Sequence, residues 1–516
     1  MTVKSNRNLR ELLESRAAVR GEKTFLFSEA DARQWTYAEF DKAVNRAANM
    51  LSENGVRKGD VVSLLMPNSA EYIIAYFACF KIGALAGPIN SLLKAEEIAF
   101  ALNNSEAKML LVHSQFLKTI QLSELPYLRR IIQFNDEAEA TKIYDEKLAE
   151  TEIEKDDEAI IIYTSGTTGK PKGCLLTHEN LLANARQITE WLGFDENDRL
   201  LTIMPLFHMN AVSVTTMTAL YAGASTVVSP KFSASKFWQI ISDYKITSFG
   251  SVATMLSMLL QKQSEAGSQK PESNPKSQIP NPKSETLRFA MCGSAPVPAE
   301  VLRKFEEAFN CLVVEGYGLS ESTCRSTFNP PNKNRRPGSC GQPIGNEMKI
   351  FDESDEEAPN GELGEIVLRG ENIFKGYFKN EEATRKAFQN GWYHTGDIGY
   401  RDADGFFYIA DRKSDMIIRG GENIYPREID ELLYTHPAVQ SAAVIGVPDE
   451  LYGEEVAAFV VLKDAAHASE EDLINFCKQH LADYKCPKRV YFVADIPKGP
   501  TGKLLKRELA RIYSEK

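Results

Sequence analysis

From Tyr37 to Leu51 apolar side chains return every three or four residues, and Phe40, Val44, Ala47, Ala48 and Leu51 fall on one face of a predicted helix. The period then changes. Asp60 to Met66 is a short, nearly continuous apolar run that predicts a buried strand, and strand and helix alternate again from Glu71 to Leu111. A further unit runs from Leu200–Met204 to Ala224–Val228, and Leu287–Cys292 predicts another strand that ends at Gly293-Ser-Ala-Pro296. Alternation of this kind points to an α/β fold in which helices flank parallel sheets.

The pattern shifts towards the C-terminus. Turn signals recur between short strands from Gly361 to Tyr408, at Pro359-Asn-Gly361, Gln389-Asn-Gly391 and Ala403-Asp-Gly405, which predicts a small β-rich subdomain. Beyond about Asp411 an amphipathic helix over Pro426–Leu433 precedes strands over Val439–Val447 and Val456–Leu462. The expected division is a large N-terminal domain over residues 1–411 and a small, mobile α+β C-terminal domain over residues 412–516. Between Gln261 and Glu285 the tetrapeptide Asn274-Pro-Lys-Ser277 recurs as Asn281-Pro-Lys-Ser284. So polar a stretch cannot bury enough apolar surface to order itself, and residues 262–285 are expected to form a mobile low-complexity insert.

Composition narrows the function classes. With a net charge of −11 the chain has no basic excess to displace phosphate counterions, so a nucleic-acid partner is not expected. The eight cysteines are scattered without a C-x-x-C pair, which suggests free thiols rather than a disulfide framework or zinc. The first eight residues lack the apolar core of a signal peptide, and Tyr72–Phe80 is about half a membrane span. The expectation is a cytoplasmic enzyme with no membrane span.

The chemistry concentrates in Tyr163-Thr-Ser-Gly-Thr-Thr-Gly-Lys-Pro-Lys-Gly173, where glycines, hydroxyls and two lysines make a phosphate grip directly after the apolar run Glu158–Tyr163. The loop is expected to leave the edge of a sheet. Gly166 lies too close to Lys170 for a P-loop, and Pro171 follows where a helix should continue. No G-x-S-x-G elbow, H-E-x-x-H helix or G-x-G-x-x-G loop offers a competing chemistry.

This string resembles the signature of the adenylate-forming superfamily of acyl-CoA synthetases, nonribosomal-peptide adenylation domains and luciferases. Pro205-Leu-Phe-His-Met-Asn210, the segment Asn310–Glu321, Trp392-Tyr-His-Thr-Gly-Asp397, Asp411-Arg-Lys-Ser-Asp415 and Pro497-Lys-Gly-Pro-Thr-Gly-Lys503 resemble further segments of that family in the same order. The resemblance implies that Thr164, Ser165, Gly166, Thr167, Thr168, Gly169 and Lys172 hold the ATP phosphates, with Ser320 nearby. It places adenine against Gly293, Ser294, Ala295, Glu315, Gly316, Tyr317 and Gly318, with Ile409 in the same pocket, and ribose on Asp397 and Arg412. Glu321 would hold Mg²⁺, a hard cation suited to one carboxylate plus phosphate oxygens. Lys503 would be the catalytic cation, with His208 and Glu321 as further catalytic groups. The acyl pocket would draw on His208, Asn210, Gly250, Ser251, Gly318, Leu319 and Thr323. Arg419, Gly420, Gly421 and Glu422 would border the coenzyme A tunnel.

The implied function is an ATP-, Mg²⁺- and coenzyme A-dependent acid–CoA ligase that forms acyl-AMP and then acyl-CoA, closest to ligases of the crotonobetaine/carnitine or medium-chain type. The alternatives are a stand-alone adenylation enzyme that loads a carrier protein, and a non-catalytic acyl-nucleotide binder. Two positions depart from the family pattern: Ser414 stands where the hinge residue is usually Asp or Lys, and Ser320 where Thr is commoner. No aspartate stands near Met209 or Asn210 to hold an α-ammonium, which argues against amino acids. The acyl residues are too small and polar to suggest a long fatty chain.

Overall fold

The computed structural model describes residues 6–120, 125–164, 171–268, 286–293, 297, 299–498 and 504–514. Two sheets make the body of the large domain. One has nine strands in the order Gln342–Pro343, Thr327–Phe328, Leu312–Tyr317, Phe289–Cys292, Ser248–Ser251, Arg199–Thr202, Ser225–Val228, Thr24–Ser28 and Gln34–Thr36. Its six central strands are parallel. The other has seven, in the order Gly376–Tyr377, Lys172–Thr177, Glu158–Thr164, Leu85–Pro88, Val61–Leu65, Met109–Val112 and Arg130–Gln133. The sequence-predicted strands and the mixed α/β class are therefore observed.

Helices fill the space beside these sheets because their apolar stripes have nowhere else to go. The helix Tyr37–Glu53 starts at a capping box formed by Thr36 and Glu39 and buries Phe40, Val44, Ala47, Ala48 and Leu51, the face its periodicity predicts. Helix Ala70–Lys81 is buried at every residue. The apolar window that falls short of a membrane span is thus a core helix, and its buried Lys81 is neutralised by Asp41 at 2.6 Å. Among the described residues no helix is long and apolar enough to cross a membrane, and all eight cysteines are buried and free.

The β-rich part is an antiparallel sheet of Glu347–Phe351, Gly364–Arg369, Trp392–Arg401 and Phe388–Gln389, with Phe407–Arg412 paired to Trp392–Arg401. After it comes a small α+β unit. The hairpin Val439–Asp449 and Gly453–Leu462 presents Val444, Val456 and Val460 to the helices Pro426–Thr435 and Glu470–Lys478, and Ile445 and Phe459 to Ile496 and Leu509 on the other face. A core on each face makes it a domain in its own right.

One expectation needs correction. Residues 262–268 are not part of a loop: the helix Ala253–Ser268 continues through them, because Lys262, Gln263 and Glu265 are good helix formers and no proline intervenes before Pro271. The rest of the expected insert, 269–285, lies outside the described residues.

Candidate active site

The phosphate loop joins two antiparallel strands. Thr164 pairs with Lys172 across the Glu158–Thr164 and Lys172–Thr177 ladder, so the loop is the tip of a hairpin. Contrary to expectation the first strand is internal to its sheet, flanked by Leu85–Pro88 and Lys172–Thr177, because the chain folds straight back through the apolar run Cys174–Leu176. Ser165, Gly166, Thr167, Thr168 and Gly169 lie outside the described residues. One shoulder of the hairpin meets Glu321, whose carboxylate lies 3.5 Å from Thr164 Oγ1 and accepts from Tyr377 Oη at 3.0 Å; on the other shoulder the Lys172 ammonium sits 5.1 Å above the Tyr377 ring. Tyr377 was not foreseen. Its signal was tertiary, for Gly376–Tyr377 becomes a strand only by pairing with Cys174 and Leu175.

Burial raises the Glu321 carboxyl above the ordinary range, against the opposing hydrogen bonds from its own backbone and from Tyr377. A cation bound there would restore the charged form. Among the described residues no three His, Cys, Asp or Glu side chains gather into a metal cage. A single hard carboxylate beside a threonine hydroxyl and a phosphate loop instead fits Mg²⁺, which keeps most positions for phosphate and water.

The residues expected to meet the nucleotide converge: Gly293, Glu315, Gly316 and Tyr317 lie at the carboxyl ends of parallel strands, where open α/β sheets bind ligands, and Asp397 and Arg412 come from the antiparallel sheet. Asp397 is buried, accepts from Tyr317 Oη at 2.6 Å and pairs with Arg412 Nε at 3.0 Å. Asp397 and Arg412 are cross-strand partners, so the ladder itself sets this pair. Asp397 holds the Arg412 guanidinium firmly in its charged form. The glycines at this wall have no room for a side chain. A Cβ on Gly318 would lie 2.0 Å from the Cys324 carbonyl oxygen, and one on Gly293 would lie 2.7 Å from that of Gly316. Glu315 is tethered by the Gly338 amide at 3.2 Å, and burial pushes its carboxyl up to about 8.

A cavity of about 1140 Å³ unites these groups: Gly293, Glu315, Gly316, Tyr317, Gly318, Leu319, Asp397, Ile409 and Arg412 all line it. So do Lys498, Leu504 and Lys506 from the small domain. Lys498 and Leu504 face each other across an isolated bridge, and Leu505 N donates to Pro497 O at 2.8 Å, so they bracket the loop that carries Lys503. Lys503 itself, with Ser294 and Ala295, lies outside the described residues. Ser320 opens a short helical turn ahead of Glu321 and is half-buried.

The acyl residues are split. Gly318 and Leu319 line the cavity, as does Phe207, whose ring lies 4.7 Å from that of His208. His208, Asn210, Gly250, Ser251 and Thr323 are not among its lining residues. Burial lowers the His208 imidazole to about 4, so it is neutral near pH 7, and its Nε2 has no protein partner. Asn210 begins a π-helical segment, Asn210–Met217, and a Cβ on Gly250 would lie 2.9 Å from Asn210 Oδ1. Two hydroxyls expected to meet substrate are engaged by backbone instead: Ser251 donates to Met291 O at 2.9 Å and Thr323 to Asn372 O at 2.6 Å.

The expected coenzyme A residues stand apart. Arg419, Gly420, Gly421 and Glu422 form a tight hairpin turn outside the cavity lining. Arg419 pairs with Glu455 at 2.6 Å and lies 3.9 Å over the Tyr452 ring, while Gly420 and Gly421 take φ of 58° and 90°, which suits glycine. Ser414 follows Arg412 in the connecting turn, where Asp415 N donates to Arg412 O at 3.0 Å.

Comparison with known proteins agrees with this geometry. The family model for AMP-binding enzymes matches residues 13–378, and that for the AMP-binding enzyme C-terminal domain matches 428–503. An oxalate–CoA ligase of Arabidopsis thaliana is 36% identical over 496 residues, covering 93% of this chain and 94% of that protein. A crotonobetaine/carnitine–CoA ligase of Citrobacter koseri is 34% identical over 536 residues, covering 99% and 100%. The crystal structure of the anthranilate CoA ligase AuaEII in complex with anthranoyl-AMP superimposes with a TM-score of 0.89 at 31% identity, covering 100% of this chain and 99% of that one.

Proposed function

We infer the reaction from one premise: the chain belongs to the AMP-binding enzyme family. It is an ATP-dependent acid–CoA ligase that uses Mg²⁺. An oxygen of the substrate carboxylate attacks the α-phosphorus of ATP, and the bond to pyrophosphate breaks to leave acyl-AMP. The thiol of coenzyme A then attacks the acyl carbon, loses its proton, and expels AMP.

One observation carries the assignment of roles, namely the cavity lined at once by the Tyr317–Asp397–Arg412 cluster and by the flanks of the Lys503 loop. Adenine stacks on Tyr317 and lies along the glycine wall, which admits flat groups because no side chain intrudes. Both ribose hydroxyls donate to Asp397, which retains acceptor capacity beyond its bonds to Tyr317 and Arg412. Residues 164–172 hold the β- and γ-phosphates. Glu321 holds Mg²⁺, which supplies charge neutralisation to those phosphates. Lys503, from the small domain, would supply an ammonium between attacking carboxylate and α-phosphate, where charge accumulates in the transition state. His208, neutral at working pH, positions the acyl group by hydrogen bonding and carries no charge.

The second half-reaction uses the other face of the small domain. The Arg419–Glu422 turn lies outside the cavity while Lys498 and Leu504, on either side of the Lys503 segment, line it, which supports a rotation of residues 412–516 about Ser414 that exchanges the two. The cytoplasm supplies ATP and coenzyme A, and free coenzyme A is the acceptor.

The test is AMP release across a panel of carboxylic acids with coenzyme A, with a carrier protein, or with neither. AMP and acyl-CoA formed with coenzyme A support the reading. Turnover with a carrier protein alone would make the chain a carrier-loading enzyme, and no AMP with any acid would overturn the catalytic assignment. The relatives named above differ widely in the charge and size of their acids, so this chain's own pocket has to decide its substrate.

A further inference from the structure

We propose that Arg325 selects the substrate, as the anchor for a second anionic group, carboxylate or sulfonate, at the end of the acid remote from the reacting carboxylate. This rests on the ligase reading and names its acid class.

Arg325 is 1% exposed and is the largest of the fully buried side chains. Its Nη1 donates to the Cys324 carbonyl at 3.2 Å and its guanidinium lies 5.5 Å from the Phe328 ring centroid. Among the described residues Nε and Nη2 have no partner and Arg325 makes no ion pair. Structural arginines this deep are ordinarily matched by a carboxylate, because an unpaired buried charge costs several kcal/mol. Glu315, a strand-end acid on the same wall, is already held by the Gly338 amide. Nε and Nη2 also form one edge of the guanidinium, the edge that grips a carboxylate or sulfonate with two parallel hydrogen bonds.

The side chain lies directly behind the cavity wall. A Cβ on Gly318 would sit 2.8 Å from the Arg325 Cα, and one on Gly293 would sit 2.6 Å from its Nη2. Both glycines line the cavity and Arg325 does not, so only glycine backbone, with no side chain, stands between the guanidinium and the cavity. The backbone is built to hold it there. Thr323 and Cys324 take φ of 62° and 136°, unfavourable for residues with a Cβ, and the Arg325 carbonyl accepts from Asn184 Nδ2 at 2.6 Å and Asn372 Nδ2 at 3.2 Å. Asn184 in turn accepts from Ser213 at 2.8 Å, in the π-helical segment that Asn210 begins. This links Arg325 to the acyl side. Adenine is uncharged and would leave the guanidinium's charge unmatched, while the phosphates have Lys172 and the loop at the other end.

The experiment compares AMP release by the whole enzyme for matched pairs of acids of two to six carbons: each dicarboxylate, or sulfo-acid, charged at its far end, against the monocarboxylate of equal length that is uncharged there. Wild type should favour the charged member of at least one pair by about 10- to 100-fold in kcat/KM, the range for hydrogen bonds to a charged group. Arg325→Met should lose that preference and Arg325→Lys should retain part of it, with ATP affinity by calorimetry reporting that each variant is folded. Uncharged acids preferred by wild type at every length, or equal loss of both members in a variant that still binds ATP, would overturn the proposal. Silence with every acid would instead overturn the ligase reading and the proposal with it.

Discussion

Replacing Asp397 by Asn tests the nucleotide site with the least change of shape. The carboxylate is buried and serves Tyr317 Oη at 2.6 Å and Arg412 Nε at 3.0 Å. Asn keeps the size but loses the charge and turns one acceptor into a donor. A hydrogen bond to a charged group contributes about 1.5–3 kcal/mol. The Arg412 side chain is 37% exposed, so water recovers part of its loss, whereas the buried Tyr317 hydroxyl recovers little. A destabilisation of about 1–2 kcal/mol follows, and ribose loses contacts of the same kind, which weakens ATP about 10- to 100-fold. Calorimetric titration with ATP and thermal unfolding of Asp397→Asn, Tyr317→Phe and the double variant separate the two effects. The single losses should not add in the double variant, because both remove one shared bond. ATP affinity within twofold of wild type in a folded Asp397→Asn would refute the ribose role, and strictly additive stability losses would refute the shared network.

Lys503→Ala should reduce adenylate formation at least about 100-fold while supplied acyl-AMP still yields acyl-CoA; equal loss of both half-reactions, in a rapid-quench assay of each, would contradict the division between the two faces of the small domain. Gly250→Ala drives a methyl to 2.9 Å from Asn210 Oδ1, so Asn210 must turn; the expected outcome is about 1–3 kcal/mol lost in denaturant titration and a raised KM for the acid with KM for ATP unchanged. Glu315 has its pKa raised by burial to about 8, so the unfolded chain ionises first. Its contribution is therefore whole below the ordinary carboxylate range and lost as pH rises through about 8. Glu315→Gln should gain unfolding temperature relative to wild type across that window, and a pH-independent difference would count against a neutral Glu315.

Some residues of the site were legible because local sequence alone constrains them. The apolar run Glu158–Tyr163 and the polar string after it announce a strand feeding a phosphate loop, and both the strand and its turn back are found. Asp397 and Arg412 were legible from motif, and the structure adds that they are cross-strand partners. Tyr377 was not, since its strand of two residues exists only against Cys174 and Leu175, contributed from about 200 positions earlier. That the Ser251 and Thr323 hydroxyls donate to backbone carbonyls was not legible, because a sequence does not reveal which carbonyl a hydroxyl will find first. The polarity of residues 262–268 likewise suggested a loop, but a polar stretch that follows Leu256, Leu259 and Leu260 on the same helix can simply continue it.

By itself, then, the sequence determined the alternation of strand and helix, the large and small domains, and the family to which the chain belongs, because these depend on periodicity and on residue types a few positions apart. Tertiary structure alone decided which side chains meet. It brought Tyr377 and Thr164 to Glu321, set Lys498 and Leu504 along the cavity and the Arg419–Glu422 turn away from it, and left Arg325 behind two glycines with no ion pair among the described residues. Those contacts span tens to hundreds of residues, and only the packing of sheets and the pairing of strands can fix them.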